Sequence, residues 1–262
     1  MKRINVDLHN HLGRMGRFPS FDRVVDVAFN RLGIEGVFSV ANCEDYRYED
    51  FVNSSPESYD RVEVRDEKDS VGIYVPQKKI LIVKGQEVFT PEGHVLVIGL
   101  PKGKNIKSKT LDDSFSEAKD YNAVTIVDHP FYKGGAGPKI LDFEPDGWEV
   151  YNASAEFWFP KLLPIGANEK SAKFYNEEIR DNHDTGACSF TDGHSPNVIG
   201  KSYTMLPLLD KQTPQALINS LRQGIKGVKS FDYLHREPNR TDAFIHAAFM
   251  TKDQIMRRLL NK

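Results

Sequence analysis

The residues of this chain best suited to chemistry stand at the ends of short apolar runs, far apart in the sequence. Asp7-Leu8-His9-Asn10-His11 closes the first run, and Thr191-Asp192-Gly193-His194 follows one near the far end. Glu87 and His129 stand at the ends of runs between them, and His94 opens another. Short apolar runs bounded by turn signals read as buried strands. In a parallel barrel every strand delivers its last residues to one rim, so residues scattered along the sequence converge in space. A His-x-His pair at a strand end presents both imidazoles to one face, because side chains two apart share it. Imidazole with carboxylate suits a divalent transition metal; the competing reading is a pair of polar residues in a turn.

The pattern between these residues alternates strand and helix. Ile4 to Leu8 reads as a strand. Phe21, Val24, Val25, Ala28, Phe29 and Leu32 recur at helical spacing, with Ser20 as a cap and Gly33 as a stop. Gly36 to Ala41 is the next strand, and strand–helix–strand order predicts parallel pairing. Residues 42–79 break the pattern: they are charged, rich in Tyr and Asp, and interrupted by Ser54-Ser55-Pro56. This excursion predicts at most two short strands, Arg61–Val64 and Val71–Val75, and is expected over the barrel mouth. Ile80–Val83 running toward Glu87, and His94–Ile98 after a turn, predict a hairpin. Thr110 starts a helix to Tyr121. Strands are expected at Ala123–Val127, Trp148–Tyr151, Gly186–Phe190 and Tyr203–Leu206, and helices at Asn168–His183 and after Thr213-Pro214. A closing amphipathic helix is expected from Asp242, over about 242–260.

Length fits a single domain: the chain has 262 residues, and a (β/α) barrel takes about 250. A formal charge of −2 gives no global basic field for nucleic acid, which is therefore not an expected partner. Lys102 to Lys109 reads as a solvated basic loop. Cys43 and Cys188 are the two cysteines, so no disulfide framework is implied, and Cys188 reads as a small core residue. The first residues are polar within five positions, so no apolar leader is expected, and no run approaches the roughly 20 apolar residues of a membrane span. A reducing, cytoplasmic setting is expected. Oligomeric state is not readable.

The strand-end residues resemble the motifs of the PHP family (polymerase and histidinol phosphatase). Asp7-Leu-His-Asn-His11 is similar to its first motif. Lys84-Gly-Gln-Glu-Val88 and Gly93-His-Val-Leu-Val-Ile-Gly99 resemble its Glu motif and the His that follows. Asp128-His-Pro130 and Phe190-Thr-Asp-Gly-His194 resemble the later His and Asp-x-His motifs. Trp148-Glu-Val-Tyr-Asn-Ala153 and Ile199-Gly-Lys-Ser-Tyr-Thr204 are similar to a C-terminal segment found in part of the family. The likeness covers most of residues 4 to 205. It implies an α/β fold, a distorted (β/α)7 TIM-like barrel.

The resemblance also implies a ligand set. One divalent ion would be held by His9, His11, Glu87 and Asp192, and a second by Glu87, His94 and His129, with Glu87 bridging. A third site in the family uses His194, but its other ligands have no counterpart here: Gly13-Arg-Met-Gly16 offers none, and Asn42-Cys43 stands where an Asp-His pair is expected. Two ions are therefore expected over three, with Cys43 an alternative ligand. Glu149 reads as a supporting acceptor. His183, His235 and His246 lie outside the motifs. Mn, Fe and Zn all suit such ligands.

A paired-ion site favours phosphate ester hydrolysis on a small phosphorylated molecule, such as a nucleotide or a sugar-type monoester. Asp192 is the candidate for handling the nucleophilic water and His194 for protonating the leaving group. Arg14, Arg17 and Lys133 are candidates for holding substrate phosphate. Two alternatives stay open: a metal-binding regulatory module without turnover, and hydrolysis of a C–N or lactone bond on the same kind of site.

Overall fold

The computed structural model describes residues 2–13, 19–54, 58–156 and 166–240. Arg14, Arg17 and the closing helix expected from Asp242 lie outside the described residues.

The strand–helix alternation folds into an α/β barrel. Its strands are β1 (Arg3–Asp7), β2 (Val37–Asn42), β3 (Val62–Arg65), β4 (Ser70–Val75), β5 (Ile80–Thr90), β6 (Gly93–Ile98), β7 (Val124–Val127), β8 (Gly147–Asn152), β9 (Gly186–Phe190), β10 (Tyr203–Pro207) and the short β11 (Leu234–His235). Around the barrel the order is β11-β10-β1-β2-β5-β6-β7-β8-β9. The pairs β1–β2, β2–β5, β7–β8 and β8–β9 are parallel, whereas β6 and β10 run against their neighbours. The expected hairpin is β5–β6, with Phe89 opposite His94. Two reversed strands distort the barrel without moving the rim at which the parallel strands end.

Helices α1 (Phe21–Leu32), α2 (Arg47–Asn53), α3 (Leu111–Asp120), α4 (Ala167–Phe174) and α5 (Pro214–Lys226) accompany the sheet. α1 buries Phe21, Val24, Val25, Ala28 and Leu32, the stripe that its spacing predicts. Ser20 precedes it but makes no side-chain cap; the helix ends at Gly33, whose amide reaches the Phe29 carbonyl. Thr110 and Thr213 do cap, accepting from the amides of Asp113 and Ala216. α4 loosens into a π-turn over Tyr175–Ile179, which turns both of those side chains inward.

Residues 42–79 depart from expectation in two ways. They contain α2, which packs Tyr48, Phe51 and Val52 inward. The β3–β4 hairpin does not cross the mouth. It pairs with Ile80–Val83, the opening half of β5, while the closing half of that strand pairs with β6.

The barrel closes without a backbone ladder between β9 and β10. Hydroxyls join them: the Ser189 amide donates to Thr204 Oγ1 (2.9 Å), which donates to the Ser189 carbonyl (3.2 Å). Ser189 Oγ donates to the His235 carbonyl (2.8 Å). Above this seam the chain beyond β1 meets the chain beyond β9. The His11 amide donates to the Gly193 carbonyl (2.6 Å), and the Gly193 amide to the His9 carbonyl (3.2 Å). Asp7, fully buried at the end of β1, accepts from the amides of Thr191 (3.0 Å) and Gly200 (2.8 Å). Burial pushes its carboxyl up to about 6, although both amides pull it down.

Asp7→Ala strands those two buried amides. Each unmet donor costs about 1–3 kcal/mol, so the variant is expected to lose about 2–6 kcal/mol of stability, read by urea unfolding. An unchanged midpoint would show that Asp7 is not the clamp.

Candidate metal centre

Six parallel strands bring their ends to one rim, and the strand-end residues meet there. His9 and His11 follow β1, Glu87 lies near the end of β5, Asp128 and His129 follow β7, Glu149 lies within β8 and Asn152 closes it, and Asp192 follows β9. His94 arrives from the opposite direction, at the start of reversed β6. All of these are buried except His94, which is half-buried.

Glu87 stands at the centre. Its Oε1 lies 2.8 Å from His94 Nδ1 and 3.2 Å from His129 Nε2. Its Oε2 lies 3.1 Å from His11 Nε2. One carboxylate thus faces two groups of imidazoles with different oxygens. On the far side, Asp192 Oδ1 lies 3.5 Å from His9 Nε2 and 3.6 Å from His11 Nε2, which are themselves 3.1 Å apart. Asn152 Nδ2 donates to Asp192 Oδ2 (3.3 Å) and to Glu149 Oε2 (3.1 Å). Glu149 also accepts from the His129 amide (2.6 Å) and stands 3.5 Å from His9 Nδ1.

His129 and Asp192 carry backbone strain. Each sits two residues past a strand end, with φ of 29° and 51°. Left-handed backbone is uncommon for non-glycine residues and costs about 1–3 kcal/mol. It turns the side chain off the strand direction and into the cluster. The loop after His129 is shaped around His94. Gly134 has φ of 87°, and a Cβ there would lie 2.3 Å from His94 Cε1.

The ligand atoms fall into three tight groups, each within 4.8 Å: His9, Glu87, Asp128 and His129; His9, His11 and Asp192; and His11, Cys43 and Glu87. Nitrogens His9 Nδ1 and His129 Nδ1, and both Asp128 oxygens, have no hydrogen-bond partner among the described residues. Buried polar atoms are ordinarily paired, so this many unmet atoms beside unusually close nitrogens fits a site built for cations.

Asp128 belongs to this cluster although the sequence reading passed over it in favour of its neighbour. Its carboxylate is fully buried, 3.5 Å from His129 Nε2. The signal was present, since Asp128 is itself the first polar residue after a strand. Cys43 Sγ stands 3.5 Å from His11 Nδ1, behind the ring. His94 and His194 lie outside the three groups: His94 reaches the cluster through Glu87, while the His194 ring is 5.1 Å from that of His11 and its Nδ1 is 3.1 Å from the Asp192 carbonyl. Lys133 is exposed on the loop that follows His129.

Electrostatics inside the cluster are strong. Burial raises the cost of charge on Glu87, yet hydrogen bonds from His11, His129 and His94 hold its carboxyl well below the usual range. Asp192 is likewise lowered against burial, by His9, His194, His11 and His129. Burial alone depresses His9 and His129, but it is outweighed. Asp192 and Glu149 raise His9 to about 9, and Asp128 and Glu87 raise His129 to about 10. Burial and the nearby charge of Glu87 push Asp128 up to about 7, against the pull of its histidine neighbours.

On the outer face of β5, Lys84 is wholly buried. Its ammonium is held by Glu49 and by the carbonyls of Pro101 (3.1 Å) and Lys104. Gln86 on the same face accepts from the Ile106 amide (2.6 Å) and donates to the Ile106 carbonyl (3.0 Å). Asn42 donates to Glu49 and to Asn105. This network fixes the chain on either side of Cys43.

Two outcomes follow from this arrangement. Glu87→Gln is expected to lower bound metal per chain, read by elemental analysis, because it removes the shared charge. Cations must also displace protons from His9 and His129, so binding is expected to release protons and tighten as pH rises from 6 to 8. Calorimetry in buffers of different ionisation enthalpy checks this, and a pH-independent affinity would contradict it.

No family sequence model matches the chain, and no curated protein resembles it in sequence. Solved structures share its fold. A two-domain protein from Bacteroides vulgatus, containing a predicted PHP-like metal-dependent phosphoesterase, superposes with a TM-score of 0.52 at 16% identity, over 86% of this chain and 64% of its own. PsfC from Pseudomonas syringae gives 0.61 at 14% identity, over 97% of this chain and 100% of its own. Endonuclease Q, solved with a 27-mer duplex carrying an abasic lesion at the active site, gives 0.55 at 15% identity, over 87% of this chain and 57% of its own. The chain therefore spans less than two thirds of the length of the first and third of these proteins. Its barrel, with an imidazole and carboxylate cluster at the strand ends, has the fold of the PHP-like metal-dependent phosphoesterases.

Proposed function

We propose that this chain is a metal-dependent phosphoesterase acting on a small phosphate monoester, with His9, His11, Glu87, His94, Asp128, His129 and Asp192 as its metal ligands. The observation that supports this reading best is Glu87, whose two oxygens face His11 on one side and His94 with His129 on the other. A pair of divalent cations held there supplies Lewis acidity for activating water and neutralising phosphoryl charge.

The protein groups supply the rest. Asp192, kept ionised by its histidine neighbours and oriented by Asn152, is placed to take a proton from the attacking water. As an imidazolium, His194 would keep its Nδ1–H on the Asp192 carbonyl and give the Nε2 proton to the departing alkoxide, ending as the neutral ring. Lys133, exposed on the loop that follows His129, is a candidate for contacting a phosphate oxygen. Among the described residues no helix is long and apolar enough to cross a membrane.

Strand incision in DNA is the second reading, because a protein of this fold, endonuclease Q, was solved on an abasic duplex. A net charge of −2 gives this chain no general attraction for a polyanion, which favours the small ester.

The test is turnover of an aryl phosphate with added Mn²⁺, compared with the variants His9→Ala and Asp192→Asn. Loss of about 100-fold or more is expected in Asp192→Asn with the fold intact by circular dichroism. Equal, metal-independent rates in all three proteins would overturn the reading. Parallel assays on an abasic duplex, an amide and a lactone separate the other chemistries.

A further inference from the structure

Phe89 is a large apolar side chain exposed at the rim, 41% accessible. Four others are exposed among the described residues, Ile34, Tyr46, Val62 and Leu208. Phe89 is set apart by its place. It lies two residues beyond Glu87 on β5, so its ring projects from the same face as that carboxylate, one step further out. It pairs across the hairpin with His94 and lies edge-on to that imidazole, with centroids 4.5 Å apart.

The row of rings continues from there. His94 meets His129 at 5.4 Å, and His129 meets Tyr132 at 6.0 Å, both edge-on. The two inner rings are candidate ligands, and the two outer ones are not. Tyr132 is half-buried, its ring edge-on to that of His129. The mouth is thus walled on one side by aromatic surface. Any apolar group gains buried area against such a wall, but a planar ring covers more of it than a methyl group and adds quadrupole contact.

We infer that Phe89, with Tyr132, forms a subsite for an aromatic leaving group, so that the preferred ester carries a planar ring close to its phosphorus. This rests on the phosphoesterase reading for its setting, but it concerns binding and is tested without turnover.

Binding of phenylphosphonate and methylphosphonate to the Mn²⁺-loaded protein is measured by calorimetry. The wild type is expected to bind the phenyl compound about tenfold more tightly. That preference is expected to collapse toward unity in Phe89→Ala and to survive in Phe89→Trp. Metal per chain is measured for each variant, which separates a lost subsite from a displaced His94. An unchanged phenyl preference in Phe89→Ala, no preference in the wild type, or no binding of either phosphonate would each overturn the inference. Absence of turnover with binding preference intact would instead count against the phosphoesterase reading alone.

Discussion

Everything at the rim depends on how the two ends of the sheet are tied together. His9 and His11 come from the first strand and Asp192 from the last of the parallel set, yet their atoms lie within 4 Å. Backbone hydrogen bonds from His11 to Gly193 and from Gly193 to His9 set that spacing, and the buried Asp7 carboxylate secures the chain on both sides of it. These bonds lie within the cluster's own residues. The same few atoms that shut the barrel therefore also align its first and last ligands.

Charge then organises what the backbone has brought together. Glu87, Asp128, Glu149 and Asp192 are all buried among four imidazoles, at a spacing that no apolar core tolerates without compensation. Histidine protons provide it in the protein alone, and divalent cations replace them in the reading proposed here. The strained backbone at His129 and Asp192 belongs to the same account. Two residues in an unfavourable conformation persist where the surrounding sheet over-determines them, and both aim side chains at the cluster.

Much of this was legible from residue pattern. Strands such as Gly186–Phe190 are short, apolar and sharply bounded, so the polar residue that follows each one declares itself. The order of such residues carried the family likeness, and with it the barrel. What escaped had physical reasons. Helix α2 has too few apolar positions for a clear period, and its stability comes from packing Tyr48, Phe51 and Val52 against neighbours distant in sequence. The direction of β10 is a tertiary property, fixed by pairing with β1. The burial of Lys84 has no signal in the sequence, because lysine is almost never buried and only its carbonyl and carboxylate partners make the interior tolerable. Asp128 was overlooked because its neighbour His129 was the more conspicuous ligand type.

The hydroxyl seam between β9 and β10 has a consequence for how the molecule comes apart. A wall joined through the side chains of Ser189 and Thr204 resists parting less than one joined by a continuous ladder. Heat would part the two margins there first, drawing the imidazoles of the first strand away from the aspartate of the last. Any cation gripped across that junction would then escape before the main cooperative transition.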